Sequence, residues 1–184
     1  AATPVFRELK AAGHFAEVHL DVINGVYAPA ERNWTGGPDD FEIGIGNHLV
    51  YAHPLAQRSD YWQELRARWL PYYSDDLRAE RLAMVRKFCL NNLDHIPLYS
   101  ARGLHFQCLD RLYNAHREFL QALFISRRVY PIAYDKWIRE QVVEILGLPE
   151  LYGQLVELFQ IEDLQSGELV GKGEILRRLV EMYA

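Results

Sequence analysis

The chain has 184 residues, 49% hydrophobic and 24% charged, with a formal net charge of −5. That usage is ordinary for a globular protein large enough to bury a core without staples, and the negative balance argues against a protein that coats nucleic acid by charge alone. Two cysteines, Cys89 and Cys108, form no disulfide framework or CxxC site and are expected in the core; no apolar run approaches the roughly 18 residues of a membrane span and no signal peptide opens the chain, so no membrane partner is expected and the cytoplasm is the simplest compartment.

Val18, Leu20 and Val22 alternate with Glu17, His19 and Asp21 over 16–23, which predicts a strand. Pro29, Gly36, Gly37 and Pro38 mark 28–40 as a loop. Residues 41–45 and 48–51 read as two short strands split by a tight turn at Gly46-Asn47.

From residue 59 the apolar period becomes helical. Tyr61, Leu65 and Trp69 recur at i, i+4 and i+8, predicting a helix that ends near Pro71. Ser74, Asp75 and Asp76 form a cap and an acidic first turn for a second helix, expected to stop before Pro97. A third is expected over 102–128, with Leu104, Cys108, Leu112, Phe119 and Leu123 as its stripe. A fourth starts at Pro131 and ends at Gly147, a fifth starts at Pro149, and Gly171 and Gly173 precede a last one. The expected fold is therefore mainly α: a bundle of about six helices preceded by a small α+β segment with two or three short strands.

The least ordinary segment is 124–138. Arg127 and Arg128 close one helix, Lys136 opens the next, and Tyr130, Tyr134 and Trp137 lie among them. Such a corner is suited to holding a phosphate through charge-assisted hydrogen bonds and stacking a base on an aromatic face. The same residues also suit a plain structural joint, in which arginines complement a helix C-terminus and aromatic rings fill the gap.

Arg127, Arg128, Tyr130, Pro131, Lys136 and Trp137 together resemble the hallmark of an uncharacterised (domain-of-unknown-function) nucleotidyltransferase family of the polymerase-β-like superfamily. The stretch Phe41 to Leu55 is similar to the strand pair that precedes the helical domain in that family, and the aromatic-rich stretch Trp62 to Tyr73 agrees with it. Four residues, Ile132 to Asp135, separate Pro131 from Lys136, a longer spacing than the family's Tyr-Pro-x-x-Lys-Trp. The resemblance implies that 1–55 is the remnant or C-terminal edge of an α/β nucleotidyltransferase-like domain and 56–184 the helical bundle domain. It further implies transfer of a nucleoside monophosphate from a nucleoside triphosphate to a small hydroxylated acceptor, such as an aminoglycoside-like compound. Arg127, Arg128 and Lys136 would meet phosphate, Tyr130 or Trp137 would stack or shape the pocket, Asp21 would bind Mg²⁺, and Asp110 would serve as general base.

That chemistry needs carboxylates around divalent metal and a Gly-Ser turn around the phosphates. The superfamily supplies them as Gly-Ser followed by Asp-x-Asp, which this sequence lacks: Ser166-Gly167 has the reverse order, and Asp39-Asp40 are adjacent. The chain is accordingly expected not to transfer a nucleotide alone, and Mg²⁺ to bind only with an upstream catalytic domain. Two alternatives stand beside this reading. One is a non-catalytic helical binding or scaffold domain. The other is a ribonuclease of the HEPN type, whose Arg-x4-6-His motif Arg111 and His116 resemble. The seven histidines include no His-x3-His or HExxH pair, so zinc is not expected.

Overall fold

Ser74 starts the helix on which most of the described fold is assembled: its hydroxyl accepts a hydrogen bond from the Leu77 backbone N–H, and Asp75 and Asp76 face the positive end of the dipole. The computed structural model describes residues 4–14, 26, 41–70 and 74–184. The chain divides into two units, Ala1–Ala30 and Glu31–Ala184. In the first, α1 (Pro4–Ala11) gives way at Gly13, whose φ of +75° suits a residue without Cβ. The strand expected over 16–23 and the loop over 28–40 lie outside the described residues.

The second unit contains a π-helical turn (Phe41–Gly46) running into α2 (Asn47–Tyr51), then α3 (Tyr61–Trp69), α4 (Asp75–Ser100), α5 (His105–Arg127), a second π-helical turn (Glu140–Ile145), α6 (Pro149–Leu158) and α7 (Glu168–Tyr183). The mainly helical fold expected from the periodicity is present, and no strand occurs among the described residues.

α4 buries Val85, Cys89, Leu93 and Ile96 against Cys108, Leu112, Phe119 and Leu123 of α5. Both cysteines are free and buried, as expected; Cys89 Sγ donates to the Ala115 carbonyl at 3.2 Å, and burial followed by the nearby Glu118 charge pushes its thiol up to about 12. α7 adds Leu169, Leu176, Leu179 and Val180 to this core, and α6 adds Leu151, Leu155 and Leu158. Each such side chain contributes roughly 1.5–3 kcal/mol on full burial. Gly173 lets α7 approach α4, since a Cβ there would stand 3.2 Å from Ile96 Cδ1.

Four local expectations are corrected. Residues 41–51 are helical instead of forming two strands: Glu42, Gly46 and Leu49 are buried at helical spacing, and Glu42 is turned inward by tertiary partners. α4 passes through Pro97 to Ser100. Pro97 faces solvent while Leu93 and Ile96 are held in the core, so packing carries the last turn across the missing N–H. No helix starts at Pro131; residues 131–137 bend, and helical structure resumes at 138. The last helix begins at Glu168, ahead of Gly171 and Gly173.

A Cβ built on Gly46 would overlap the Tyr130 ring, whereas one on Gly44 would meet nothing within 4 Å. Gly46→Ala is therefore expected to lower unfolding stability by roughly 1–3 kcal/mol, with Gly44→Ala near neutral or slightly stabilising; urea denaturation of the two variants checks this.

Candidate functional site

The joint between α5 and the second π-helical turn begins with a left-handed residue. Arg128 closes α5 at φ 55° and ψ 38°, its N–H bonding the Ile125 carbonyl at 3.2 Å while the Val129 N–H reaches Phe124 at 3.1 Å. This is a Schellman closure with arginine where glycine is usual. The chain then runs back across the bundle. Pro131 and the Tyr130 and Tyr134 rings are buried, and the Tyr130 carbonyl accepts a hydrogen bond from the Tyr51 hydroxyl at 2.6 Å. Asn47 Nδ2 donates to the Ile132 carbonyl at 3.3 Å.

Gln141 fastens the inner side of this loop. Its side chain is 1% exposed, and its Nε2 donates to the carbonyls of Lys136 (2.7 Å) and Ala133 (2.8 Å). Its Oε1 accepts from the N–H groups of Ile132 (2.7 Å) and Ala133 (3.3 Å). These bonds replace the i→i+4 pattern that a helix from Pro131 would need, which is why the bend wins there. Beyond the clamp, Lys136 and Trp137 project into solvent. Trp137 is 56% exposed and has a φ of 50°, which costs a bulky L-residue about 1 kcal/mol or more.

The residues singled out in the sequence do not all meet. Tyr130, Lys136 and Trp137 belong to the clamped loop, with Tyr130 inside and the other two outside. Arg127 is turned to the helix ends: its Nη1 lies 2.9 Å from the Tyr183 carbonyl, 3.2 Å from Ser126 Oγ and 3.4 Å from the Leu123 carbonyl. Burial lowers its pKa. Arg128 pairs with Asp75 at the start of α4, a half-exposed surface bridge of small net worth. Asp110 is exposed on α5, 17 residues before Arg127, which places it roughly 25 Å away along the helix axis. Asp21 lies outside the described residues. Of the three cations expected in a common cradle, Arg127 is bonded to the bundle, Arg128 is engaged by Asp75 at the surface, and Lys136 is exposed next to Trp137 in the chain.

Two buried polar groups bring together residues that the sequence did not connect, Arg81, Glu42 and Gln121 in one and Asn92 and Glu118 in the other. Arg81 Nη2 lies 3.3 Å from Glu42 Oε2 and 3.1 Å from Gln121 Oε1, and the Tyr134 hydroxyl donates to Glu42 Oε2 at 3.1 Å. The sequence did carry a signal: Arg81 stands one turn before Val85 and two before Cys89, on the apolar stripe. In the second group Asn92 Nδ2 donates to Glu118 Oε2 at 2.8 Å while Arg111 Nη1 donates to Asn92 Oδ1 at 2.7 Å. Burial raises Glu118 to about 7, against the lowering effects of Asn92, Arg111 and Arg117. His116 is buried edge-on against Phe159, its Nδ1 has no hydrogen-bond partner, and burial with Arg117 lowers it to about 4. Arg111 also lies over the Tyr99 ring at 5.7 Å. His116 is thus enclosed, and the Arg111 guanidinium is bonded inward to Asn92.

Among the described residues no group of three or more His, Cys, Asp or Glu side chains is arranged to hold a metal. Comparison with family models, curated proteins and solved structures finds no match to this chain.

The two titrating groups have opposite signs. Folded Glu118 binds its proton more tightly than unfolded chain does, so its contribution is complete at low pH and is lost as pH rises toward about 7. His116 binds its proton less tightly when folded, so its contribution is lost as pH falls from 6.5 toward about 4. The stability of Glu118→Gln relative to the parent should rise with pH across 5 to 7.5, and that of His116→Phe should rise as pH falls across 6.5 to 4, read from urea midpoints along the two series.

Proposed function

We propose that the chain is the helical, substrate-binding part of a nucleotidyltransferase-like protein, one that transfers a nucleoside monophosphate from a nucleoside triphosphate to a small hydroxylated acceptor. The observation that carries the reading is the clamped loop with Lys136 and Trp137 exposed at its edge. A buried glutamine holds the backbone under an exposed indole in a left-handed conformation. An exposed aromatic gains nothing for folding from such strain, which persists where a geometry is kept for a ligand. An indole face accepts a base or a sugar ring by stacking, and the adjacent ammonium offers three donors to a phosphate. The weak Arg128–Asp75 bridge leaves that guanidinium able to exchange its carboxylate for a phosphate.

The chemical step needs Mg²⁺ and the carboxylates that hold it. Among the described residues no cluster of three or more such side chains is present. Binding and orienting the substrate is the role left to this chain, and the Gly-Ser and Asp-x-Asp elements absent from its sequence would have to be brought by a catalytic partner domain.

A second reading, a helical binding domain with no catalytic partner, is favoured by Arg127, whose guanidinium is already bonded to three acceptors of the bundle. Titration of the chain with ATP, with and without Mg²⁺, followed by tryptophan fluorescence and calorimetry, tests the first reading. Saturable binding is expected, weakened at least about fivefold by Trp137→Ala and about threefold by Lys136→Ala. Absence of ATP binding by the parent chain overturns the nucleotide assignment. Trp137→Gly should weaken ATP binding equally while raising stability by up to about 1 kcal/mol, because the left-handed strain is removed; a loss of stability instead would make the indole a structural group.

A further inference from the structure

α4 presents a second face flanking its buried stripe, with Leu82 and Leu90 partly buried against the core. A groove of about 730 Å³ runs along it, and its described lining residues all lie on this helix between Arg78 and Asp94. They fall in two ladders of i, i+4 spacing, so the groove follows the helix for about 24 Å. Leu82 and Leu90 supply the apolar floor, and Ala79 and Ala83 keep one side low enough for another backbone to come close. Arg78, Arg86 and Lys87 stand along this floor. Among the described lining residues the single carboxylate, Asp94, is paired with Arg177 at 2.7 Å.

We propose that this groove is a docking surface for an amphipathic helix of a partner protein, with an apolar stripe seated over Leu82 and Leu90 and acidic side chains along its edges. Length, periodicity and low relief match a helix lying alongside α4. Charge selects the partner. The local surface is cationic although the chain carries a net charge of −5, so an acidic segment is attracted here while whole copies of the chain repel one another. A nucleic-acid backbone is a poorer fit, since it would leave the leucine and alanine floor uncovered.

Arg78 and Arg86 also donate to the carbonyls of Ser126 and Ala184, so the test is confined to Lys87 and Ala83, which are exposed. The probe is a fluorescein-labelled helical peptide of about 18 residues with leucines at i, i+4 and i+7 spacing and glutamates beside them. A control peptide carries lysine in place of every glutamate. Anisotropy titration of the full chain should show saturable, salt-sensitive binding of the acidic peptide and none of the basic one. Lys87→Glu should weaken it at least about fivefold, and Ala83→Trp should block the groove and abolish it. Arg139→Glu, remote in sequence and exposed, should leave it unchanged, and circular dichroism establishes that each variant is folded. No saturation by the acidic peptide, equal binding of both peptides, or indifference to the Lys87 and Ala83 variants overturns the proposal. So does a concentration-dependent dimer in sedimentation that Ala83→Trp abolishes, which would assign the groove to a second copy.

Discussion

The guanidinium of Arg81 and the carboxylate of Glu42 are withdrawn from water together, at 1% and 0% side-chain exposure, and that pairing constrains four parts of the chain at once. Arg81 belongs to α4, Glu42 to the first π-helical turn, Gln121 to α5 and Tyr134 to the joint. A buried pair of this kind adds little net stability over a well-packed apolar substitute, but removing one partner strands the other at a cost of about 3–5 kcal/mol. Its main effect is therefore on arrangement. The 41–51 segment has one way to lie on the bundle, and the aromatic joint has one way to close over that segment.

The joint depends on this anchorage. Tyr134 reaches Glu42, Tyr51 holds the Tyr130 carbonyl, and Asn47 holds Ile132, while Gln141 bonds the loop from the opposite side. A loop fixed from both sides can keep Trp137 at a φ of 50° without a glycine. The strain is sustained by the surroundings, and what it yields is an aromatic face and an ammonium presented to solvent in a set geometry. That is the physical basis of the ligand-binding role proposed for it.

Polar residues also set the register of α4 on α5. Arg81 meets Gln121, Cys89 meets the Ala115 carbonyl, and Asn92 meets Glu118. Sliding one helix by a turn would part all three sets and leave buried donors and acceptors unmatched, which is expensive in a low-dielectric interface. The apolar stripe alone, largely leucine, alanine and phenylalanine, would tolerate such a slip far better. Glu118 and His116 sit within this interface with burial acting on both, and because burial favours the neutral form of each, one loses its proton late and the other early.

Helical periodicity was legible in the sequence because it is carried by neighbours three and four residues apart. α3, α4, α5, α6 and α7 were all foreshadowed by their stripes, as were the Ser74 cap and the burial of Cys89 and Cys108. So was the unusual character of 124–138, which is local in composition. What sequence could not settle was where charged residues point and where helix-breaking residues are tolerated. Glu42 is inside because of Arg81, 39 residues away, and the same contact turns an apparent strand pair into helix. Pro97 is tolerated because Leu93 and Ile96 are held by other helices, and the helix expected from Pro131 gives way to hydrogen bonds from Gln141. Arg127 reads as a phosphate ligand in sequence but bonds the carbonyl of Tyr183, 56 residues on. Local spacing thus determined which segments are helices, while the orientation of each polar side chain was decided by partners that only the folded chain brings within reach, since desolvated charge and unpaired backbone outweigh local propensity.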